Sequence, residues 1–272
     1  MTATDRLYRH KFTAVPGIFV DHTAKYREDN TSRATTLPLL RVIDRDYGVE
    51  LALPTGSGKA KPWERLQAYV QHLNQESPAG TLYKVLFLTR HGFGYHNEAE
   101  ARVGREAWNV SSCTSVREDW GILLNPPQDH WSHLDGDGQV VWADSELNPV
   151  VKELLRERLT DHTCDRRSAR TWIAENYPDY DIEPGFTEKN ELWRGDRWET
   201  EKEHTARKQE ALDDIFSTDG NVFISLTLHS YAMSAILEVV NSPTFRVQEG
   251  TTVAMLVKAE EVGQAGLEVP IS

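Results

Sequence analysis

Residues 83–100 read YKVLFLTRHGFGYHNEAE, and this stretch decides the fold class. The apolar run at 85–88 is typical of a short strand that is buried on both faces. Two glycines then indicate a turn, and the composition of residues 98–108 favours a helix. A strand, a glycine-bearing turn and a helix in this order predict that Arg90 and His91 lie at the carboxyl end of a strand. Open α/β sheets bind their ligands at that edge.

The same pattern returns in NVFISLTLHSYAMSAILEVV, residues 221–240. A strand is predicted at 222–228 and a helix at 232–240, so His229 also stands where a strand passes into a helix. If the two strands are parallel neighbours, His91 and His229 meet above one sheet edge, beside helix amino termini. Either histidine alone is more often structural than catalytic. The matched contexts favour a shared site whose imidazoles, guanidinium and backbone amides suit a phosphate group.

Other candidate motifs lack the context that would give them a function. The TGSGK stretch at 55–59 has neither the upstream glycine nor the leading strand of a P-loop. The DGDG stretch at 135–138 has no glutamate to close a calcium loop, so a turn is predicted there. Five further histidines lack a strand-to-helix context and are interpreted as surface or structural residues: His96, His130, His133, His162 and His204.

The composition limits the class of protein. The chain has 272 residues, of which 39% are hydrophobic and 26% charged, which suits one large or two small globular domains. Its formal net charge of -12 opposes binding to nucleic acid and to anionic membranes, although a locally basic pocket can still bind a small anion. The charged amino terminus and the lack of a long apolar run predict a cytoplasmic protein. Two cysteines without a CxxC motif favour neither a disulfide framework nor a cysteine-based zinc site.

Three further elements are predicted from local patterns. A helix with an apolar stripe begins near Pro62. Two more helices are predicted at 149–158 and at 200–216. The stretch between them, 175–200, is acidic, aromatic and interrupted by prolines, which predicts an ordered loop that lies over another part of the protein.

Several stretches resemble the histidine phosphatase superfamily, whose fold is phosphoglycerate mutase-like, and within it a fungal phosphomutase-like branch. The superfamily signals are LFLTRHGFGYHNEAE, which holds the Arg-His-Gly (RHG) motif, and ISLTLHSYAMSAIL. HTCDRRS and GFTEKNELW are specific to the branch. The remaining matched blocks are DGDGQVVWADSELNP, VVKELLRERLTDHTCDRRSARTWIAENYP and ARKQEALDDIF.

The resemblance covers most of residues 82–260 and implies an α/β fold, a three-layer α/β/α sandwich with a mostly parallel central sheet. It implies one domain over 1–272. The amino-terminal extension and first helix would occupy 1–80, the motif-bearing core 81–260 and a tail 261–272.

The resemblance also implies the roles of the site residues. His91 would be the nucleophile, since a neutral imidazole nitrogen can attack phosphorus and hold the group as a phosphohistidine. Arg90, Asn97 and His229 would bind the phosphoryl oxygens, with His229 among the catalytic residues. Glu157 would protonate the leaving alcohol and then activate water, for which its pKa must be raised. The alternative for Glu157 is a solvated helix residue. No metal or cofactor is implied.

The chain departs from this branch at one junction and at two positions. The branch carries a helix, a strand and an SPLxR motif before its KELLRE block, whereas here WADSELNP runs directly into VVKELLRE. Roughly fifty residues are absent, enough for one strand and one helix. The second phosphate-binding arginine is absent with them, and by motif Arg166 and Arg167 do not replace it. Phe93 and Tyr231 add aromatic bulk near the pocket.

These features predict a metal-independent phosphomonoesterase, a hydrolase whose partner is a small phosphorylated metabolite. The loss of one donor where charge develops costs about a hundredfold to a thousandfold in rate, so weak or absent activity is expected. The alternative is a catalytically inactive or repurposed scaffold with a binding role. A shortened gene model is another explanation of the gap.

Overall fold

The computed structural model describes residues 8–21, 33–49, 60–92, 102, 104, 149–162 and 165–262. Its strands are β1 (His10–Val15), β2 (Thr81–Arg90), β3 (Val150–Val151), β4 (Asp181–Ile182), β5 (Phe223–Leu228) and β6 (Thr252–Glu261). Within the described residues, four of them form one sheet in the order β1-β6-β2-β5. The short strands β3 and β4 pair separately and run parallel.

The strands that end beside the two histidines are parallel neighbours. In their register Val85 pairs with Phe223 and Arg90 pairs with Leu228. This confirms the prediction that the apolar runs at 85–88 and 222–228 form adjacent parallel strands.

The described part of the sheet is mixed, whereas a mostly parallel sheet is expected from the resemblance. β6 runs antiparallel to both β1 and β2. The reason is the path of residues 240–251, which return the chain to the carboxyl edge of β2. There the Gly250 amide donates to the carbonyl oxygens of Arg90 and His91, at 3.1 and 3.0 Å. β6 therefore starts at that edge and runs antiparallel to β2.

The helices are α1 (Pro62–Glu76), α2 (Arg170–Asn176), α3 (Glu201–Thr218) and α4 (Ser230–Val239). The predicted helices near Pro62, at 200–216 and at 232–240 are confirmed. α3 begins with a capping box, in which Thr200 and Glu203 satisfy each other's amide groups. The predicted helix at 98–108 falls almost wholly outside the described residues. None of the helices within the described ranges is long and apolar enough to cross a membrane.

The prediction of a helix at 149–158 is wrong. β3 is followed by a single 3-10 turn, Glu153–Leu155, and then by irregular chain. The cause lies elsewhere in the sequence, because Arg207 and Lys208 of α3 donate hydrogen bonds to main-chain carbonyls of this segment. An α-helix would need those carbonyls for its own amide groups.

The acidic loop predicted at 175–200 is ordered, and in the structure it contains the short strand β4. It lies over residues 153–162. The Glu199 amide donates to the Leu159 carbonyl at 2.7 Å, and the Trp193 indole donates to the His162 carbonyl at 3.2 Å. The loop thereby covers the segment that carries Glu157.

Helices lie against both faces of the sheet. Leu86 and Leu88 of β2 belong to a buried cluster with residues of α3 and α4. Val85 and Phe87, which alternate with them, belong to a second buried cluster with residues of α1. β2 is buried on both faces, as its apolar run predicts, and its carboxyl end is held by packing on either side.

Truncation within β2 should show how strongly this packing holds the fold. Leu88 is 0% exposed and Leu82, on the same strand, is 36% exposed. Leu88→Ala should lower the free energy of unfolding by about 2–5 kcal/mol, because it leaves a cavity in a packed core. Leu82→Ala should cost about 1 kcal/mol or less. Denaturant unfolding followed by circular dichroism measures both, and equal losses would contradict the burial of β2 described here.

Candidate active site

His91 and His229 meet at the carboxyl edge of the β2–β5 pair. Their ring centroids are 4.4 Å apart and the ring planes are inclined by 60°. The two strand ends are tied directly, since the His91 amide donates to the Leu228 carbonyl at 2.9 Å. His229 is the N-cap residue of α4, so the amino terminus of that helix opens beside both rings. The juxtaposition predicted from the two strand-to-helix patterns is therefore present.

The immediate surroundings of His91 favour a neutral ring. Its Nδ1 lies 2.6 Å from the Gly92 carbonyl oxygen, and because a carbonyl can only accept, Nδ1 carries the proton. That tautomer leaves the lone pair on Nε2. Burial lowers the pKa of His91 below its ordinary value, although the Gly92 hydrogen bond opposes this. A neutral imidazole with its lone pair on Nε2 is the form that can act as a nucleophile.

Arg90 brings a buried guanidinium to the same edge. It is 8% exposed, its Nη1 donates to the Val247 carbonyl at 2.8 Å, and its Nη2 lies 2.7 Å from Glu249 Oε1. Burial lowers the pKa of Arg90, but an arginine remains charged at any physiological pH. A positive charge therefore lies next to the His91 ring.

Glu157 reaches this edge from the loop after the 3-10 turn, so the interpretation as a solvated helix residue is wrong. Its Oε1 accepts a hydrogen bond from the Arg158 amide at 2.7 Å, and its Oε2 accepts one from the Tyr231 amide at 3.1 Å. The second bond ties the carboxyl to the first turn of α4, two residues after His229. Burial raises the pKa of Glu157 to about 7, and the two amide donors oppose that rise. A carboxyl with this pKa can both give and take a proton near neutral pH.

The chain is similar to curated fungal proteins over most of its length. A probable phosphoglycerate mutase of Arthroderma benhamiae is 34% identical over 275 residues, covering 80% of this chain and 76% of that protein. A probable phosphoglycerate mutase of Saccharomyces cerevisiae is 26% identical over 254 residues, covering 73% and 85%. Phosphomutase-like protein 3 of Candida albicans is 25% identical over 228 residues, covering 65% and 66%. No family model and no solved structure matches the chain.

The chain belongs to the fungal branch of the phosphoglycerate mutase-like histidine phosphatases. Membership accords with the RHG motif at the end of β2 and with the second histidine at the end of β5. The branch resemblance also predicts Asn97 as a phosphate ligand and Phe93 as a pocket residue, and both lie outside the described residues. Tyr231, the other aromatic departure, is 58% exposed at the start of α4.

Two buried basic side chains of α3 hold the Glu157 segment of this histidine phosphatase. Arg207 donates to the carbonyl oxygens of Leu154, Arg156 and Glu157 at 2.8–3.0 Å, and its other donors bind Glu199 at 2.7 and 2.8 Å. Lys208, which is 0% exposed, donates to Leu154 and Arg156 as well. These bonds replace helical hydrogen bonds and fix the loop from which Glu157 extends.

Arg207 and Lys208 were not predicted from the sequence as functional residues, although a signal for them exists. They stand four residues before the buried Ala211 and Leu212, so they share the inward face of α3. His204, on the same helix, is 3% exposed, and burial with Lys208 and Arg207 nearby lowers its pKa to about 2. It is a neutral structural histidine, as its context predicts.

Arg167, one of the two arginines in the HTCDRRS stretch, has a structural role. Arg167 is buried, pairs with Glu153, and donates to the carbonyl oxygens of Thr187 and Lys189 at 2.8 and 3.0 Å. Its guanidinium therefore binds the acidic loop at 175–200. This agrees with the prediction that Arg167 does not replace the arginine of the absent SPLxR motif.

Replacing Arg207 should lower the stability of the fold more than replacing an exposed arginine. Arg207→Met leaves the Glu199 carboxylate, whose side chain is 10% exposed, without its buried partner. The free energy of unfolding should fall by about 3–5 kcal/mol. The control is Arg197→Met, since the Arg197–Glu203 pair is nearly half exposed on both sides and its loss should change stability little. Denaturant unfolding of both variants measures the difference, and equal stabilities would contradict the structural role given to Arg207 here.

Proposed function

We propose that the protein is a phosphomonoesterase that hydrolyses a small phosphorylated metabolite through a phosphohistidine at His91. The observation that carries the proposal is the contact between the His91 and His229 rings beside the buried Arg90 guanidinium. Two imidazoles, one guanidinium and the amino terminus of α4 together suit a phosphate group. Membership of the histidine phosphatase family supports the same chemistry.

In the first step, Arg90 and His229 hold the phosphate oxygens while Nε2 of neutral His91 attacks phosphorus. The bond between phosphorus and the ester oxygen breaks, and Glu157 gives its proton to the departing alcohol. The raised pKa of Glu157 supports this role, because a protonated carboxyl is available near neutral pH. Charge transferred to the leaving oxygen is thereby neutralised as the bond breaks.

In the second step, water attacks the phosphohistidine. The Glu157 carboxylate takes a proton from that water, the bond between phosphorus and Nε2 breaks, and inorganic phosphate leaves. His91 returns to its neutral form and Glu157 to its protonated form, so the cycle closes. Every proton and bond in both steps is accounted for by side chains of this chain, water and substrate.

We also propose that the chain is a three-layer sandwich that lacks one strand and one helix of its family. The alignment with the Arthroderma protein runs over 275 residues but covers only 80% of a 272-residue chain, so part of that relative lies opposite no residue here. Among the described strands β5 pairs with β2 alone, and β3 pairs with β4 outside the main sheet. A strand beside the outer edge of β5 would fit this arrangement. Its absence would remove an arginine and weaken activity.

Replacing His91 should abolish turnover. His91→Ala removes the attacking nitrogen, so hydrolysis of p-nitrophenyl phosphate should fall to the level of buffer, and EDTA should leave the wild-type rate unchanged. His72→Ala, an exposed histidine on α1, is the matched control and should retain full activity. Release of p-nitrophenol measures all three. Activity that survives His91→Ala and is lost with EDTA would rule out the phosphohistidine route, and no activity in the wild type would favour the binding scaffold.

The pH profile should report the protonation of Glu157. Its pKa of about 7 means that the proton needed by the leaving group is present below that pH and lost above it. For an alkyl phosphate, kcat/KM should therefore decline by about tenfold per pH unit above about pH 7. If the decline of kcat/KM above pH 7 persists when Glu157 is replaced, the group that titrates is on another residue, and the assignment to Glu157 is wrong.

Glu157→Gln distinguishes a role as proton donor from a purely structural role. It should cost about 100-fold or more with an alkyl phosphate such as glycerol 2-phosphate, and much less with p-nitrophenyl phosphate, whose leaving group needs little protonation. Glu76→Gln, at an exposed position, should change neither rate. Equal losses on the two substrates would show that Glu157 is not the proton donor.

A further inference from the structure

Glu249 lies between two arginines at the edge that carries His91. Its Oε1 is 2.7 Å from Arg90 Nη2 and 3.1 Å from Arg33 Nη1, and its Oε2 is 3.4 Å from the same Arg33 nitrogen. Two guanidinium groups therefore converge on one carboxylate oxygen. Burial alone would raise the pKa of Glu249, but a backbone hydrogen bond and the charges of Arg90 and Arg33 bring it below its ordinary value. Glu249 is thus a carboxylate at neutral pH.

The backbone around Arg33 is fixed against the segment that carries Glu249. The amide of Ala34 donates to the Arg246 carbonyl at 2.8 Å, and the amide of Gln248 donates to the Ala34 carbonyl at 2.9 Å. The Thr251 hydroxyl donates to that same Ala34 oxygen at 3.1 Å. Arg33 is therefore held beside Glu249 by a strand-like pairing as well as by its charge.

The segment that carries Glu249 is in turn fixed to the nucleophile. The Gly250 amide donates to the carbonyl oxygens of Arg90 and His91, and the Arg90 amide donates to the Thr251 carbonyl at 2.8 Å. Arg33, Glu249 and Arg90 consequently share the sheet edge of His91. The Arg33 side chain is 38% exposed, whereas that of Arg90 is 10% exposed, so Arg33 forms the outer and Arg90 the inner side of the cluster.

An independent observation concerns the third nitrogen of the Arg90 guanidinium. Its Nε is buried, and among the described residues it has no hydrogen-bond partner. A buried guanidinium nitrogen in this state is unfavourable, because it has lost its hydrogen bond to water and gained none from the protein. An anion could take the place of the carboxylate oxygen on Nη2 and also accept a hydrogen bond from Nε, so that both nitrogens of Arg90 would have a partner. Phosphate binds guanidinium groups in this bidentate geometry.

We propose that Arg33 is a second anion-binding arginine of the pocket, and that Glu249 is the internal counter-ion which the phosphate group of the substrate displaces. The inference rests on the proposed function, since it takes the anion to be that phosphate. Carboxylate and phosphate oxygens bind guanidinium groups in the same way, so Glu249 keeps both arginines in position until it is exchanged. Arg33 then supplies the charge that the absent SPLxR arginine would have provided, from the amino-terminal part of the chain.

Binding of inorganic phosphate, measured by isothermal titration calorimetry, tests this. Arg33→Gln should weaken phosphate binding about tenfold or more, because a charge-assisted bond is lost. Glu249→Gln should tighten it about tenfold, because no carboxylate competes for the two arginines. Arg197→Gln is the matched control for the change in net charge, and its affinity should remain within about twofold of wild type, since Arg197 is about half exposed, pairs with Glu203 and is screened by salt. Arg33→Lys, which keeps the charge without the planar fork, should lie between wild type and Arg33→Gln.

Each outcome decides a separate part of the proposal. Equal affinities for Arg33→Gln and Arg197→Gln, with both variants folded by circular dichroism, would overturn the role of Arg33. Weaker binding by Glu249→Gln would show that Glu249 supports the arginines instead of competing for them, and would overturn the counter-ion. Phosphate binding without hydrolysis of any ester would overturn the proposed function while the Arg33 comparison still stands. Absence of binding by both the wild type and Glu249→Gln would overturn both proposals.

Discussion

The parallel pairing of β2 with β5 is the constraint on which the site depends. Because Arg90 and Leu228 are paired, the next residue of each strand is a histidine at the same edge, and the His91 amide closes the pair on the Leu228 carbonyl. A shift of this register by one residue would turn the side chains of one strand to the opposite face. Burial on both faces of β2 prevents that shift, since Leu86 and Val85 belong to different cores.

Around this pair of strands, burial determines the protonation states of the site residues more than surface salt bridges do. Burial lowers the pKa of His91 and raises that of Glu157 to about 7, which moves both groups toward their neutral forms. Arg207 and Lys208 are buried as well, yet they are held by main-chain carbonyls and by Glu199. The buried basic side chains therefore serve two ends: Arg90 lies at the sheet edge beside His91, and Arg207 and Lys208 fix the loop that brings Glu157 to the same edge.

How much of this could be predicted from the sequence depends on the range of the interactions involved. The strands before His91 and His229 follow from apolar runs that are local, and so does α3, whose capping box lies within four residues. The segment at 149–158 could not be predicted in the same way, because its conformation depends on side chains about fifty positions later in the sequence. The Arg33–Glu249 contact spans 216 positions and belongs to no motif. Asn97 stays a prediction, as it lies outside the described residues.

The central claim is that phosphoryl transfer passes through a covalent bond to His91. The most direct measurement is to mix the protein with a radiolabelled phosphate ester, stop the reaction in alkali and map the labelled peptide. We expect a label on the peptide that contains His91, stable in alkali and lost in acid, and no label in His91→Asn. Hydrolysis without a label at His91, or a label on another side chain, would contradict it.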